Sequence, residues 1–347
     1  MDKTLILAIE SSCDETAAAI IEDGSKIRAN LVSSQIDLHQ KYGGVVPEIA
    51  SRKHLETINL LIKETMEEAG LEFKDLSHIA VANSPGLIGA LLVGVSTAKA
   101  LAYGAKKPLI AVNHIEGHVY ANFLQHKDEL EFPLICLIVS GGHTMVVKMT
   151  GHGEYEVMGN TRDDAVGEAF DKVARTLGIG YPGGPVIDKL SKEGNENSID
   201  FPKATLEKGS CDFSYSGLKS AVLNWINKEK MLGNEIPVAD VCASFQKAAV
   251  EILVEKTIAA AEQENVKTII TAGGVSANSK LRELLKEEGN KRGMKVFFPP
   301  IEFCTDNAAM IGAAAHYKAI RKEYAGLDLN GVANFNFADY IKKGKEE

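Results

Sequence analysis

The chain has 347 residues, more than one hydrophobic core ordinarily supports, so two domains are expected. Its 45% hydrophobic and 24% charged residues are the proportions of a soluble globular protein. A net charge of −9 argues against a surface that grips nucleic acid unaided, because phosphate contacts need Lys and Arg; a local basic patch, or one lent by a partner, is the alternative. Five scattered cysteines (Cys13, Cys136, Cys211, Cys242 and Cys304) form no C-x-x-C pair and fit a reduced, cytoplasmic protein. The first apolar run ends at Glu10, too soon for a secretory signal. The apolar region 79–105 is interrupted by Pro85, Ser96, Thr97 and Lys99 and does not read as a membrane span.

In chain order, Leu5–Glu10 and 17–22 read as strands joined by the polar loop Ser11-Ser12-Cys13-Asp14-Glu15-Thr16. Residues 79–82 form a further strand, Asn83-Ser84-Pro85-Gly86 a loop, and 87–104 a helix of small and apolar residues. A short strand at 109–112 leads into a helix carrying His114 and His118. After Pro133 the plan repeats: Leu134–Val139 and 145–149 flank Ser140-Gly141-Gly142-His143-Thr144. Strand Thr268–Ala272, the turn Gly273-Gly274-Val275, helix 276–292, strand 295–298 and helix 306–321 then follow in the same order. Between 181 and 237 the pattern lapses into an insertion of loops and short helices, and the stretch from 326 to 347 reads as a polar tail. Strands alternating with helices imply parallel pairing and an α/β class. A duplicated α/β unit with strand-turn-strand openings resembles the two-lobed actin/hexokinase/heat-shock-70 (ASKHA) fold, with nucleotide and metal held between the lobes. The expected lobes are 1–130 and 131–325, with helix 306–321 packing back on the first lobe as a variant of that division.

Three features carry chemistry. His114-Ile115-Glu116-Gly117-His118 places two imidazoles four residues apart, one above the other on a helix, within reach of one divalent metal. The spacing is close to H-E-x-x-H, but Glu116 stands at the centre of the motif, roughly 200° around the helix from either histidine. That position counts against a zinc peptidase. A third ligand is needed, and Asp306 offers one; read locally, Asp306 fits better as an N-cap of the last helix. The glycine pairs at 141–142, 183–184 and 273–274 adjoin strand ends and suit a phosphate cradle, although no P-loop motif is present. Asp14 and Glu15 sit in the first loop, as a catalytic carboxylate or as plain turn residues. Asp163, Asp164, Glu168 and Asp171 surround a helix start, where acidic residues complement the helix dipole; Asp171 and Asp188 could instead hold ribose hydroxyls. There is no G-x-S-x-G elbow and no cysteine with a histidine beside it, so no activated nucleophile stands out.

Glu10-Ser11-Ser12-Cys13-Asp14-Glu15-Thr16, Ser84-Pro85-Gly86-Leu87, the histidine motif, Val139-Ser140-Gly141-Gly142-His143-Thr144, Phe170-Asp171-Lys172, Tyr181-Pro182-Gly183-Gly184, Gly273-Gly274-Val275-Ser276-Ala277-Asn278 and Cys304-Thr305-Asp306-Asn307-Ala308 together resemble one family. It is the bacterial tRNA N6-adenosine threonylcarbamoyltransferases, formerly labelled O-sialoglycoprotein endopeptidases, and the likeness runs from residue 5 to about 320. The resemblance implies transfer of threonylcarbamoyl from threonylcarbamoyl-AMP to the N6 amine of the adenosine 3′ to the anticodon, in tRNAs reading codons that begin with adenosine. It further implies a metal, iron(II) or alternatively zinc, on His114, His118 and Asp306. Ile138, Val139, Ser140, Gly141, Gly142, Asp171, Gly184, Asp188 and Asn278 match contacts to the bound nucleotide, which would be ATP, ADP or the adenylate. Asp14, with Glu15 beside it, falls where a loop carboxylate is important for activity. The implied partners are tRNA, a smaller paralogous subunit (TsaB-like) and a P-loop ATPase (TsaE-like). An ASKHA-fold kinase or ATPase, a metallopeptidase and a non-catalytic scaffold are the rival readings.

Overall fold

The computed structural model describes residues 3–204, 206–334 and 337. Most of the tail expected at 326–347 therefore lies outside the described residues. The elements run β1 Leu5–Glu10, β2 Glu15–Glu22, β3 Lys26–Ser34, α1 Ile36–Gln40, α2 Pro47–Ala69, β4 His78–Ser84, α3 Ile88–Ala105, β5 Leu109–Asn113, α4 His114–Tyr120 and α5 Phe123–His126. They continue with β6 Leu134–Val139, β7 Thr144–Gly151, β8 Glu154–Asn160, α6 Val166–Leu177, α7 Gly183–Leu190, α8 Ser216–Met231, α9 Val238–Gln263, β9 Thr268–Ala272, α10 Ser279–Lys291, β10 Lys295–Phe297 and α11 Ala308–Ile320. Two compact units result: residues up to Leu130, with His152–Glu154 and the chain from Pro299 on, form the first, and the remainder forms the second.

The first unit is built on a five-stranded sheet of order β3-β2-β1-β4-β5. β1 pairs antiparallel with β2 (Leu7 opposite Ile20) and parallel with β4 (Leu7 opposite Ile79), and β5 continues parallel to β4. Alternation divides the side chains of β1 between two covered faces. Leu7 and Ile9 join Ile20, Ile79 and Val81 against Ile58, Leu61, Ile62 and Met66 of α2 and Val95 and Ala98 of α3. Each such fully buried aliphatic side chain contributes about 1.5–3 kcal/mol relative to exposure. On the other face α11 lies close to the sheet: a Cβ added at Gly312 would collide with Ile21 and touch Ala8. α2 begins with Pro47 in its first turn and stops at Gly70, whose φ of 65° closes the helix in the left-handed region.

The second unit repeats the plan. Its sheet runs β8-β7-β6-β9-β10, so both sheets, with strands counted along the chain, read third, second, first, fourth, fifth. β6 is antiparallel to β7 and parallel to β9, as β1 is to β2 and β4. The expected duplication of strand-turn-strand openings is present in both units. The outer strands β3 and β8 and the long helices α2 and α9 were not among the sequence-based elements and complete it. The 181–237 segment supplies α7 and α8, and its Ile187, Phe213, Tyr215, Leu218, Val222 and Ile226 are buried in the core of the second unit. Among the described residues, one helix, α3, is long and apolar enough to cross a membrane, yet its Val93, Val95, Ala98 and Ala102 belong to the core of the first unit.

Candidate functional site

β5 ends at Asn113, and the chain turns at once into α4. The Asn113 side chain makes that turn possible by accepting the N–H groups of Ile115 (2.9 Å) and Glu116 (3.2 Å). His114 is therefore the first residue of α4 and His118 lies one turn later, with ring centroids 4.7 Å apart. Gly117 between them leaves room for Ile311 of α11, whose Cδ1 would stand 2.8 Å from an added Cβ. Asp306 completes the group: its Oδ1 is 3.4 Å from His114 Nε2 and 3.1 Å from His118 Nε2. The three ligand atoms lie within 4.8 Å of one another. The local N-cap reading of Asp306 gives way to its neighbour: Asn307 caps α11, accepting the Met310 N–H at 3.0 Å, which leaves the Asp306 carboxylate to the histidines.

The electrostatics of the group are those of a cation site. Burial opposes a charge on His114, but Asp306 and Glu10 raise its pKa well above the usual histidine value. Burial alone would raise the Asp306 carboxyl, yet His114 and His118 hold it far below the carboxylate range. Two imidazoles and one carboxylate converging on one point suit zinc, iron(II) or another borderline divalent ion and leave coordination positions open. Glu116 takes no part in this face: it is buried with Lys318 Nζ 3.7 Å from its carboxylate. The glutamate that a peptidase would need is thus engaged elsewhere.

Asp14 and Glu15, at the start of β2, are in the same unit. Burial, then Asp306 and Asp14, raise the Glu15 carboxyl well above its ordinary value. Ser34 Oγ donates to Glu15 at 3.0 Å. A dication on the triad would offset the contribution of Asp306. Burial, with Asp14 and Asp306, also raises Cys13, which leaves a neutral thiol and no nucleophile. The loop is pinned by His54 of α2, whose ring nitrogens bridge Thr16 Oγ1 (2.8 Å) and the Cys13 carbonyl (3.0 Å).

The residues matched to a nucleotide all belong to the second unit. Ile138 and Val139 end β6, and the turn after them is closed by Ser140, whose Oγ accepts the N–H groups of Gly142 (3.4 Å) and His143 (3.1 Å). A Cβ on Gly141, Gly142, Gly184 or Gly274 would meet open space, whereas Gly167, Gly183 and Gly273 lie hard against backbone. The first set leaves room for an approaching ligand, and the second lets the surrounding segments close up. Asp171 Oδ1 accepts the Gly183 N–H at 2.7 Å, Asp188 Oδ1 accepts Ser279 Oγ–H at 2.8 Å, and Asn278 caps α10 while donating to Gln246 at 2.8 Å. These bonds link α6 with the start of α7, α7 with the start of α10, and the residue that caps α10 with α9. Burial raises the Asp171 carboxyl above its ordinary value. Sequence reasoning gave no role to Glu10, Ser12, His54, Asn113 or Gln246. A buried glutamate closing an apolar strand was the available signal for Glu10.

Duplicated sheets of this order define the class. The crystal structure of T. kodakarensis HypF superposes with a TM-score of 0.63 at 14% identity over 92% of this chain and 48% of that one, so the fold is the ASKHA type. Sequence comparison narrows the class to one family. The profile described as TsaD, tRNA N6-adenosine threonylcarbamoyltransferase, matches residues 26–313. Proteins bearing that description from Clostridium perfringens (strain ATCC 13124) and Clostridium novyi are each 57% identical, over 98% and 96% of this chain and 100% and 98% of their own lengths. The chain belongs to the tRNA N6-adenosine threonylcarbamoyltransferase family and is a transferase that acts in tRNA modification.

Proposed function

We propose that the chain transfers the threonylcarbamoyl group of threonylcarbamoyl-AMP to the N6 amine of the adenosine 3′ to the anticodon, in tRNAs that read codons beginning with adenosine. The near full-length identity to the clostridial transferases supports the reaction class. The observation that carries the site is the convergence of His114 Nε2, His118 Nε2 and Asp306 Oδ1. These three residues would hold one divalent metal, iron(II) before zinc. Such an ion supplies Lewis acidity toward a donor oxygen.

The second unit binds the adenylate, with Ile138, Val139, Ser140, Gly141, Gly142 and Gly184 around its phosphate and Asp171, Asp188 and Asn278 on the nucleoside. The tRNA amine attacks the carbamoyl carbon, the bond from that carbon to the phosphate oxygen breaks, and AMP leaves with the electron pair. Asp14 receives the amine proton, and Glu15 beside it orients Asp14 for that task. Direct attack by the amine agrees with the half-buried Cys13 thiol, whose pKa is raised. tRNA delivery needs a smaller paralogous subunit and a P-loop ATPase in the cytoplasm, consistent with the charge of −9.

The test is incorporation of labelled threonine into tRNA by the chain with these partners, ATP, bicarbonate and a donor-making enzyme. Wild type should label tRNA. His118→Ala should lose at least about 100-fold, the rate equivalent of a Lewis-acid contribution of several kcal/mol. Unlabelled tRNA while the donor accumulates would overturn the reading. A kinase of the same fold would instead phosphorylate an acceptor without needing either histidine.

A further inference from the structure

Glu10 is the last residue of β1 and is entirely buried. A buried carboxylate must be hydrogen-bonded or it opposes folding, and both oxygens of this one are used. Oε1 accepts the Ser12 N–H at 2.5 Å, and Oε2 lies 3.0 Å from His114 Nδ1. Ser12 Oγ is 3.1 Å from the same nitrogen. The opposite nitrogen of the ring, Nε2, is the one beside Asp306. An ionised carboxylate only accepts, so Nδ1 must carry a proton; in a neutral imidazole the lone pair then falls on Nε2. His118 differs: its Nδ1 is buried with no hydrogen-bond partner among the described residues. One ligand of the pair is fixed from behind and the other is not.

We infer that Glu10 is a positioning residue for the metal centre, holding His114 as the Nδ1–H tautomer with its Nε2 lone pair turned toward Asp306. This rests on the metal reading above. Glu10 acts through His114 alone, and it brings β1, the first strand of the sheet, into the site. A carboxylate behind a ligating imidazole also makes that imidazole a stronger donor.

Glu10→Gln keeps the size of the side chain and changes one property. An amide has one accepting oxygen and one donating NH2. The Ser12 N–H cannot move its proton, so it keeps the oxygen, and the NH2 faces His114 Nδ1. That nitrogen must then accept, which puts the ring proton on Nε2 where the metal would bind. Affinity for zinc, measured by competition with a chromophoric chelator, should fall about 10–100-fold in E10Q, the usual cost of losing such a partner, while circular dichroism and Tm stay near wild type. Ser12→Ala, which leaves the carboxylate in place, should bind zinc within a few-fold of wild type. Unchanged zinc affinity in folded E10Q overturns the inference. Nitrogen-15 NMR of zinc-loaded, histidine-labelled wild type tests it even if E10Q does not fold: a His114 ring proton on Nδ1 is expected, and one on Nε2 overturns it. The metal reading fails separately if wild type binds no stoichiometric zinc, or if His114→Ala and His118→Ala bind it as tightly as wild type.

Discussion

Asp163 accepts hydrogen bonds from the N–H groups of Tyr215 (2.8 Å) and Ser216 (3.1 Å) and from the hydroxyls of Ser214 (2.5 Å) and Ser216 (2.7 Å). It thereby caps α8 from a segment some fifty residues earlier, where the sequence suggested a partner for the dipole of the helix that follows it. Partial burial works to raise its pKa, but the four donors bring it down to about 2. An unfolded aspartate titrates near ~3.9. Because the folded value is the lower one, the stabilisation is complete above about pH 4 and disappears as pH falls toward 2. Asp163→Asn should cost about 1 kcal/mol at neutral pH, a capping loss moderated by solvent at this exposed side chain. Urea titrations at pH 7 and pH 3 should show that difference shrinking at the lower pH; an equal or larger deficit at pH 3 would contradict the assignment. Asp306 gives the complementary lesson. Local sequence cannot decide which of two adjacent residues caps a helix, and His118, one of the partners that claim Asp306, lies 188 residues before it in the chain.

Among the elements, the inner strands and the edge strands β5 and β10 were legible, and β3 and β8, at the opposite edges, were not. β1, β6 and β9 are nearly all buried, so they read as unbroken apolar runs with sharp ends. β3 and β8 are outer strands of their sheets and mix exposed with buried positions. Their polar residues, Lys26, Arg28, Glu154 and Glu156 among them, blur the pattern that marks a strand. α11 shows what its small residues are for. Ala308, Ala309, Ala313, Ala314 and Ala315 are buried around Gly312, and any side chain there meets Ile21. Gly312→Val should lower stability by about 1–3 kcal/mol through overpacking. Since the same helix follows directly from Asp306, zinc affinity should weaken in parallel. A wild-type Tm in the Gly312→Val variant would mean that α11 can retreat from the sheet without cost.

For the whole molecule, charge is the property most exposed to test. With 47 acidic against 38 basic side chains, the net charge of −9 opposes close approach to the tRNA phosphates. On the proposed reading, filter binding at ~0.15 M salt should detect tRNA only weakly with the chain alone and tightly once the smaller subunit and the ATPase are added. Tight binding by the lone chain would refute that dependence. The family was legible because its motifs are short, contiguous and spread over both units, whereas the hydrogen bonds that join them, from Glu10 to His114 or from Asn278 to Gln246, link residues far apart in sequence. The discontinuity of the first unit has a consequence for synthesis. His118 leaves the ribosome 188 residues before Asp306, which at about 5–20 residues per second is a delay of roughly 10–40 s. Throughout that interval the second unit can complete its sheet, while the nascent first unit exposes the side of β1 and β2 that α11 will cover. On the proposed metal reading, a cation captured in that interval would find two imidazoles and no Asp306.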